Sequence, residues 1–236
     1  MTTTLITGAN KGLGYETARR LVEAGHTVYL ASRDDERGKA AAEELGARAI
    51  QLDVTDDASV EAAARTVEAD GGLDVLINNA GIAAEWKPDN TVIGAAEVTA
   101  DLMRTTFETN VFGVVRVLHA FLPLLGRSAA PVVVNVSSGL ASLERLSTPG
   151  SRAYDYPGVA YPTSKTAVNM ITVQYAKAFP GMRINAVEPG FTATDLNGKS
   201  GVQTVEVGAE IIVRMARIGA DGPTGGCFDA DGVQPW

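Results

Sequence analysis

Tyr161 and Lys165 stand four positions apart, in the run Tyr161-Pro162-Thr163-Ser164-Lys165 at the start of a helical apolar pattern. Positions i and i+4 share one face of a helix, and side chains lean toward its N-terminus, so Lys165 leans back toward Tyr161. An unperturbed tyrosine has a pKa near ~10, and a nearby ammonium lowers that pKa. The spacing predicts a phenol able to work as an acid or base at neutral pH. The same spacing also arises by chance on amphipathic helices, so other motifs in the chain are needed to distinguish a catalytic pair from a coincidence.

Two more polar side chains are candidates for the site. Ser138 follows 131–136, the most strongly β-forming run in the chain, and parallel strands present ligands at their carboxyl ends. No histidine lies near this serine in the sequence, so we expect a hydrogen-bond donor rather than a nucleophile. Asn110 lies among apolar residues of a helical stretch. Either a structural amide bonded to the backbone or a functional amide fits that position.

Composition restricts the classes of protein. The 236 residues are 45% hydrophobic and 20% charged, which predicts a globular chain with a sizeable core. The net charge of −8 makes nucleic acid and anionic membranes poor partners. No repeat or linker divides the sequence, so one domain over residues 1–236 is predicted. The start of the chain shows no export signal and no apolar run looks long enough to span a bilayer, which favours the cytoplasm.

Cysteine and histidine are scarce. Cys227 is the only cysteine, so no intrachain disulfide can form, and its apolar surroundings predict a buried filler rather than a nucleophile. The two histidines, His26 and His119, are interpreted as structural. This set leaves little for a transition-metal site, and we expect none.

Strand and helix patterns alternate along the chain. The predicted strands are 2–7, 27–31, 49–52, 73–77, 131–136, 183–187 and 225–229. The predicted helices begin after Gly14 and cover 34–45, 56–69, 94–126 with a break near 110–113, 160–179 and 202–218; a loop or short interrupted helix covers 140–158, and a mobile loop 194–200. This alternation predicts an α/β fold: a doubly wound parallel sheet of Rossmann type, about seven strands, with helices on both faces.

A glycine loop, Gly8-x-x-x-Gly12-x-Gly14, joins the first strand to the first helix. Glycines allow close backbone approach, and a helix N-terminus presents free N–H groups, so this loop predicts a phosphate site. Lys11 lies in the loop and Arg33 follows the second strand, which favours the 2′-phosphate of NADP. Ordinary surface charges would explain both residues too, and Asp34 beside Arg33 keeps NAD open.

Polar residues also end the third and fourth strands. Asp53 either accepts a hydrogen bond from an adenine amino group or caps the following turn. Asn78-Asn79-Ala80-Gly81 ends the fourth strand, at the edge where open α/β sheets bind ligands.

Taken together, these motifs resemble the short-chain dehydrogenase/reductase family over nearly the full length. The motifs in the family's order are Thr7-Gly8-x-x-x-Gly12-x-Gly14, Asn78-Asn79-Ala80-Gly81, Asn110, Ser138, Tyr161-x-x-x-Lys165 and Pro189-Gly190. The glycine loop and the segment after strand two also resemble the NADPH-dependent carbonyl reductase branch. The resemblance implies an oxidoreductase that moves a hydride between nicotinamide and a small carbonyl or alcohol.

The resemblance assigns a role to each site residue. Tyr161 is the general acid or base, Lys165 lowers its pKa and binds the nicotinamide ribose, Ser138 holds the substrate oxygen, and Asn110 holds a relay water. For the cofactor, it implies Gly8, Gly12 and Gly14 at the pyrophosphate, Lys11 and Arg33 at the 2′-phosphate, Asp53 and Asn79 at the adenosine, and Thr192 at the carboxamide. It extends the cofactor set to Asn10, Leu13, Val54, Ala80, Gly81, Pro189, Gly190 and Thr194.

One departure from the family concerns 142–158. The gap between Ser138 and Tyr161 is longer than the family commonly has, which is similar to an insertion in monomeric carbonyl reductases. A homodimer and a monomer therefore both stay open. An NAD-linked alcohol dehydrogenase and a non-catalytic NADP-sensing protein on the same fold are the alternative functions.

Overall fold

The computed structural model describes residues 2–87, 89 and 91–236. Within these residues the strands are β1 Thr3–Ile6, β2 Thr27–Ser32, β3 Arg48–Gln51, β4 Val75–Asn78, β5 Val132–Val136, β6 Arg183–Val187 and β7 Cys227–Phe228. All their pairings are parallel, in the order β3-β2-β1-β4-β5-β6-β7. The predicted α/β class and doubly wound sheet are confirmed.

Helices cover both faces of this sheet. They are α1 Gly12–Glu23, α2 Asp35–Leu45, α3 Asp57–Ala69, α4 Ala100–Phe107, α5 Gly113–Leu125, α6 Leu143–Ser147, α7 Ala160–Ala178 and α8 Val205–Ala216. The alternation of side chains along β1 shows why both faces need cover. Leu5 packs in one core cluster with α3, α5 and α7, and Ile6 packs in the other with α1, α2 and α8.

The strand order reverses at β1, which pairs with β2 on one side and with β4 on the other. The chain leaves β1 for one half of the sheet and returns through β4 for the other half. A crevice opens at such a switch point, outside the carboxyl ends of the strands, and ligands of doubly wound folds bind there. The fold therefore predicts the ligand site at the carboxyl edge of the sheet, beside β1 and β4.

The long helix predicted over 94–126 is divided. Helix α4 starts only at Ala100, because Thr99 caps it by accepting a hydrogen bond from Leu102 N at 3.2 Å. The predicted break is confirmed, and it takes the form of a π-helical turn, Glu108–Phe112, before α5. The predicted loop at 194–200 contains a short 3₁₀ helix, Asp195–Asn197, with Asn197 buried.

The expectation that no apolar run could span a bilayer is wrong by length alone. The helical stretch Ala100–Leu125 has 26 residues and a mean hydropathy of 1.2 in its most apolar window. Half of that window is buried, since α5 packs against α3 and α4 packs against α7. Both helices of this stretch therefore pack within the fold.

Candidate active site

The carboxyl edge of β5 meets the first turns of α7. Lys165 Nζ donates to Val136 O at 2.7 Å, and Ser137 Oγ donates to Asn169 Oδ1 at 2.6 Å. Asn110 reaches the same helix from the π-helical turn, with Nδ2 donating to Ser164 Oγ at 3.0 Å. These contacts bring Asn110 and Lys165 to the end of β5 and the first turns of α7, the segments that carry the predicted Ser138 and Tyr161.

Tyr161 lies beside Ser138, which begins the 3₁₀ turn after β5. The pKa of Tyr161 is raised to about 12. Burial is the largest cause, the interaction with the Ser138 side chain opposes it, and the negative charge of Glu85 adds to the rise. The phenol is therefore protonated at neutral pH.

Lys165 is buried, with its Nζ 5.7 Å from the centre of the Tyr161 ring. Burial lowers the pKa of the ammonium to about 8, because the charged form is poorly solvated there. The pKa of Tyr161 lies above its ordinary value here because of burial, and its lowering by Lys165 stays a prediction. The ammonium of Lys165 is directed at the Val136 carbonyl.

Asn110 is fully buried and joins two segments of backbone. Its Oδ1 accepts from Ile82 N at 2.8 Å, and its Nδ2 donates to Ile82 O at 2.8 Å as well as to Ser164 Oγ. Both amide hydrogens are thus committed to protein atoms. Of the two interpretations left open, these contacts favour the structural amide.

The glycine loop has the shape expected of a phosphate site. Gly8 and Gly12 have φ of 63° and 59°, which favour glycine. Gly14 has no room for a side chain, since a Cβ would lie 2.5 Å from Asn79 Nδ2 and 2.8 Å from Gly8 O. That Asn79 amide donates to Thr7 O at 2.9 Å and Gly8 O at 3.0 Å. In this structure Asn79 therefore supports the loop, whereas the resemblance implied contact with adenosine.

Arg33 lies in a cleft of about 640 Å³ beside β3 and the start of α3. Its lining carries charge of both signs, since Asp53 and Asp56 share it with Arg33. Asp34, the residue that kept NAD open, caps α2 by accepting from Arg37 N at 3.0 Å, and Arg37 Nε lies 3.3 Å from its carboxylate.

Asp53 makes the contacts of a turn cap, one of the two roles that the sequence left open for it. Its Oδ1 accepts from Thr55 N at 2.9 Å and from Thr55 Oγ1 at 2.8 Å, which caps the turn before α3. Lys11 forms an exposed ion pair with Asp195, at 2.7 Å, on the 3₁₀ turn after β6. This pair joins the glycine loop to the segment that carries Thr194.

Thr192 organises that segment after Pro189 and Gly190. It is buried, its Oγ1 accepts from Gln203 Nε2 at 2.9 Å, and its carbonyl accepts from Asn197 Nδ2 at 2.9 Å. Thr194 Cγ2 would be 3.7 Å from a Cβ on Gly12, so the segment folds back over the glycine loop. The predicted cofactor residues of β1 and of the loop after β6 therefore face each other.

The scarce cysteine and histidine lie in structural settings. Cys227 is buried in β7, and burial raises the pKa of its thiol to about 12. His26 Nδ1 shares a hydrogen bond with Thr4 Oγ1 at 2.9 Å. Both agree with the interpretation as structural residues.

A parallel sheet with a glycine loop at its switch point and a tyrosine–lysine pair beside β5 defines a class: oxidoreductases that use a nicotinamide dinucleotide. The family model described as short chain dehydrogenase matches residues 2–204. The chain belongs to the short-chain dehydrogenase family, and it is an oxidoreductase of that family.

Relatives and solved structures give the same assignment. A (+)-neomenthol dehydrogenase from Arabidopsis thaliana is 33% identical, over 95% of this chain and 94% of that protein. The structure of salutaridine reductase from Papaver somniferum has a TM-score of 0.83 and 29% identity, covering 98% of this chain and 100% of the other. An NADPH-bound carbonyl reductase from chicken fatty liver has a TM-score of 0.81 and 27% identity, covering 100% and 99%.

Proposed function

We propose that the protein is an NADPH-dependent reductase of a small ketone, aldehyde or quinone, with Tyr161 as the proton donor. The observation that carries the proposal is the Tyr161 phenol beside Lys165 and Ser138, at the sheet edge that also holds the glycine loop. The carbonyl reductase and salutaridine reductase among the similar structures support the reaction class.

Each of the site side chains has a separate role in carbonyl reduction. Tyr161 Oη, protonated at neutral pH, donates its proton to the oxygen of the substrate carbonyl. Ser138 Oγ donates a hydrogen bond to the same oxygen as it gains negative charge. Lys165 contributes positive charge and binds the nicotinamide ribose. When bound, NADPH supplies the hydride.

The donor set fits a dinucleotide phosphate. The left-handed Gly8 and Gly12 and the closely packed Gly14 leave backbone N–H groups at the start of α1 for the pyrophosphate. Arg33 and Lys11 are proposed for the 2′-phosphate, and the engagement of Asp34 with α2 supports NADP over NAD. The proposed cofactor site also includes the backbone and side chains of Asp53, Val54, Asn79, Thr192 and Thr194.

We also propose that residues 1–236 act as one catalytic domain, in the cytoplasm, with a small molecule as substrate. The sheet runs from β1 near the start of the chain to β7 near its end, which supports one unit.

The test is consumption of NADPH against a panel of ketones, aldehydes and quinones, with the alcohol or hydroquinone product quantified. We expect one product molecule per NADPH consumed, and a much lower rate with NADH. Tight NADPH binding with no turnover across the panel would favour the sensing protein, and faster alcohol oxidation with NAD would favour the alcohol dehydrogenase.

The cofactor preference has its own variant. Arg33→Ala removes a guanidinium proposed to pair with the 2′-phosphate, so we expect the Michaelis constant for NADPH to rise by about tenfold to a hundredfold while that for NADH stays unchanged. Arg127→Ala is the matched control, since this exposed arginine pairs with Glu68. Equal effects of Arg33→Ala on the two cofactors would refute the assignment.

A further inference from the structure

Glu85 is a fully buried carboxylate in the segment after β4, and the sequence interpretation gave it no role. Its Oε1 accepts from the Tyr156 hydroxyl at 2.7 Å, and its Oε2 accepts from the Tyr161 backbone N–H at 3.0 Å. One side chain thus links the segment after β4, the loop before α7 and the residue that carries the phenol.

The first turn of α7 needs this partner. The first helical N–H groups have no partner within their own helix, and a polar N-cap side chain usually satisfies one of them. Here the N-cap is Val159, which is apolar, and Pro162 has no N–H to offer. A carboxylate 76 positions away in the sequence supplies the acceptor instead, with the charge that a helix N-terminus favours.

The surrounding backbone makes room for the carboxylate. A Cβ on Gly158 would lie 2.7 Å from both Glu85 Cδ and Tyr156 Cε1, so the position admits only glycine without rearrangement. Gly158 also forms an antiparallel bridge with Gly94. Ile93 N donates to Glu85 O at 2.9 Å, which fixes the backbone of Glu85 itself.

We propose that Glu85 is a positioning residue for the reaction proposed above: it holds the first turn of α7 so that the Tyr161 phenol meets Ser138 and the substrate oxygen. The proposal rests on the proposed function for its chemistry and on the two hydrogen bonds for its geometry. Loss of the carboxylate frees the N-terminal end of α7, and misplacement of a catalytic group by about 1 Å can cost roughly a hundredfold in rate.

The charge of Glu85 has a second, separable effect. It raises the pKa of Tyr161, together with burial and against the interaction with Ser138. The other titratable groups facing the phenol are Tyr156, from the loop before α7, and Lys165, from α7 itself. Removing the Glu85 charge therefore lowers the pKa of Tyr161, so alcohol oxidation, which needs the phenolate, should reach its maximum at lower pH.

The experiment compares Glu85→Gln, Glu85→Ala and the control Glu97→Gln, whose exposed carboxylate pairs with Lys87. Glutamine keeps an acceptor for the Tyr161 N–H and a donor for the Tyr156 oxygen but carries no charge. We expect Glu85→Ala to lower kcat by about tenfold to a hundredfold with NADPH affinity unchanged. We expect Glu85→Gln to retain most of kcat and to shift the oxidation profile to lower pH.

Hydrogen–deuterium exchange supplies a readout without turnover. The peptide covering Tyr161 should exchange faster in Glu85→Ala than in the wild type, and at the wild-type rate in Glu97→Gln. A wild type inactive on every carbonyl refutes the proposed function, and the exchange rate still decides whether Glu85 fixes the helix.

Two results would overturn the proposal. The first is wild-type kcat, pH profile and amide exchange in Glu85→Ala. The second is a joint loss of activity, NADPH affinity and thermal stability in Glu85→Ala, with an unchanged pH profile of alcohol oxidation in Glu85→Gln. That pattern is expected of a residue with a structural role alone.

Discussion

Replacement of Asn110 by alanine distinguishes a structural amide from one that relays protons through water. The side chain is fully buried and makes three hydrogen bonds, two to the backbone of Ile82 and one to Ser164. We expect the variant to fold with lower stability and to keep measurable activity, because its contacts join the backbone after β4 to α7.

The magnitude follows from those bonds. A buried hydrogen bond contributes about 1 kcal/mol net, so three sum to about 3 kcal/mol of unfolding free energy. For a chain of this size, each kcal/mol corresponds to roughly 2–4 °C, which gives a fall in Tm of about 6–12 °C. Thermal unfolding, followed by circular dichroism at fixed NADPH concentration, measures this fall.

Asn185→Ala is the matched control. Asn185 is also buried, donates to Pro223 O at 2.7 Å and accepts from Gly226 N at 3.2 Å, so its bonds go to the segment before β7 and not to α7. It should lose comparable stability with kcat unchanged. A fall in Tm below about 2 °C for Asn110→Ala, together with a kcat reduced a thousandfold, would refute the structural account and support the water relay.

Three further predictions concern the cofactor loop and the lysine. Gly14→Ala places a Cβ 2.5 Å from Asn79 Nδ2, so unfolding experiments should show a loss of about 1–3 kcal/mol and titration a weaker NADPH affinity. Asp195→Ala breaks an exposed pair with Lys11, so stability should change by less than about 1 kcal/mol, while the Michaelis constant for NADPH falls as Lys11 becomes free for phosphate. Lys165 carries its charge below a pKa of about 8 and loses it as pH rises, so kcat/KM for reduction should decline above that pH. The variant Lys165→Arg should remove the decline because arginine stays charged.

Local patterns were sufficient for most of the fold. Strand β6 matches its predicted bounds, and α7 starts at the predicted Ala160, because apolar periodicity and turn residues mark these elements in the sequence itself. The predicted helix over 94–126 started too early because the cap at Thr99 is one of several acceptable caps in that stretch. Its break was predictable from the polar Asn110, though the π-helical form depends on the tertiary contact with Ile82.

The sequence predicted which side chains lie close together better than it predicted how they interact. Tyr161, Lys165 and Ser138 come together as the spacing and strand ends indicated. The direction of the Tyr161 pKa shift was not predictable from i,i+4 spacing, since burial of both partners depends on everything packed around them. The role of Glu85 could not be predicted from the sequence, because its partners are 71 and 76 positions away and no motif surrounds it.

The central claim is that Tyr161 gives its proton to the carbonyl oxygen. The most direct measurement is the single-turnover rate at which NADPH-loaded protein reduces its best carbonyl substrate, in the wild type, Tyr161→Phe and the control Tyr175→Phe. Tyr175 lies on the same helix and packs against Phe179, away from the phenol. We predict a rate lower by about a hundredfold to ten-thousandfold for Tyr161→Phe at unchanged NADPH affinity, and a wild-type rate for Tyr175→Phe. A Tyr161→Phe protein that reduces the substrate as fast as the wild type would contradict the account.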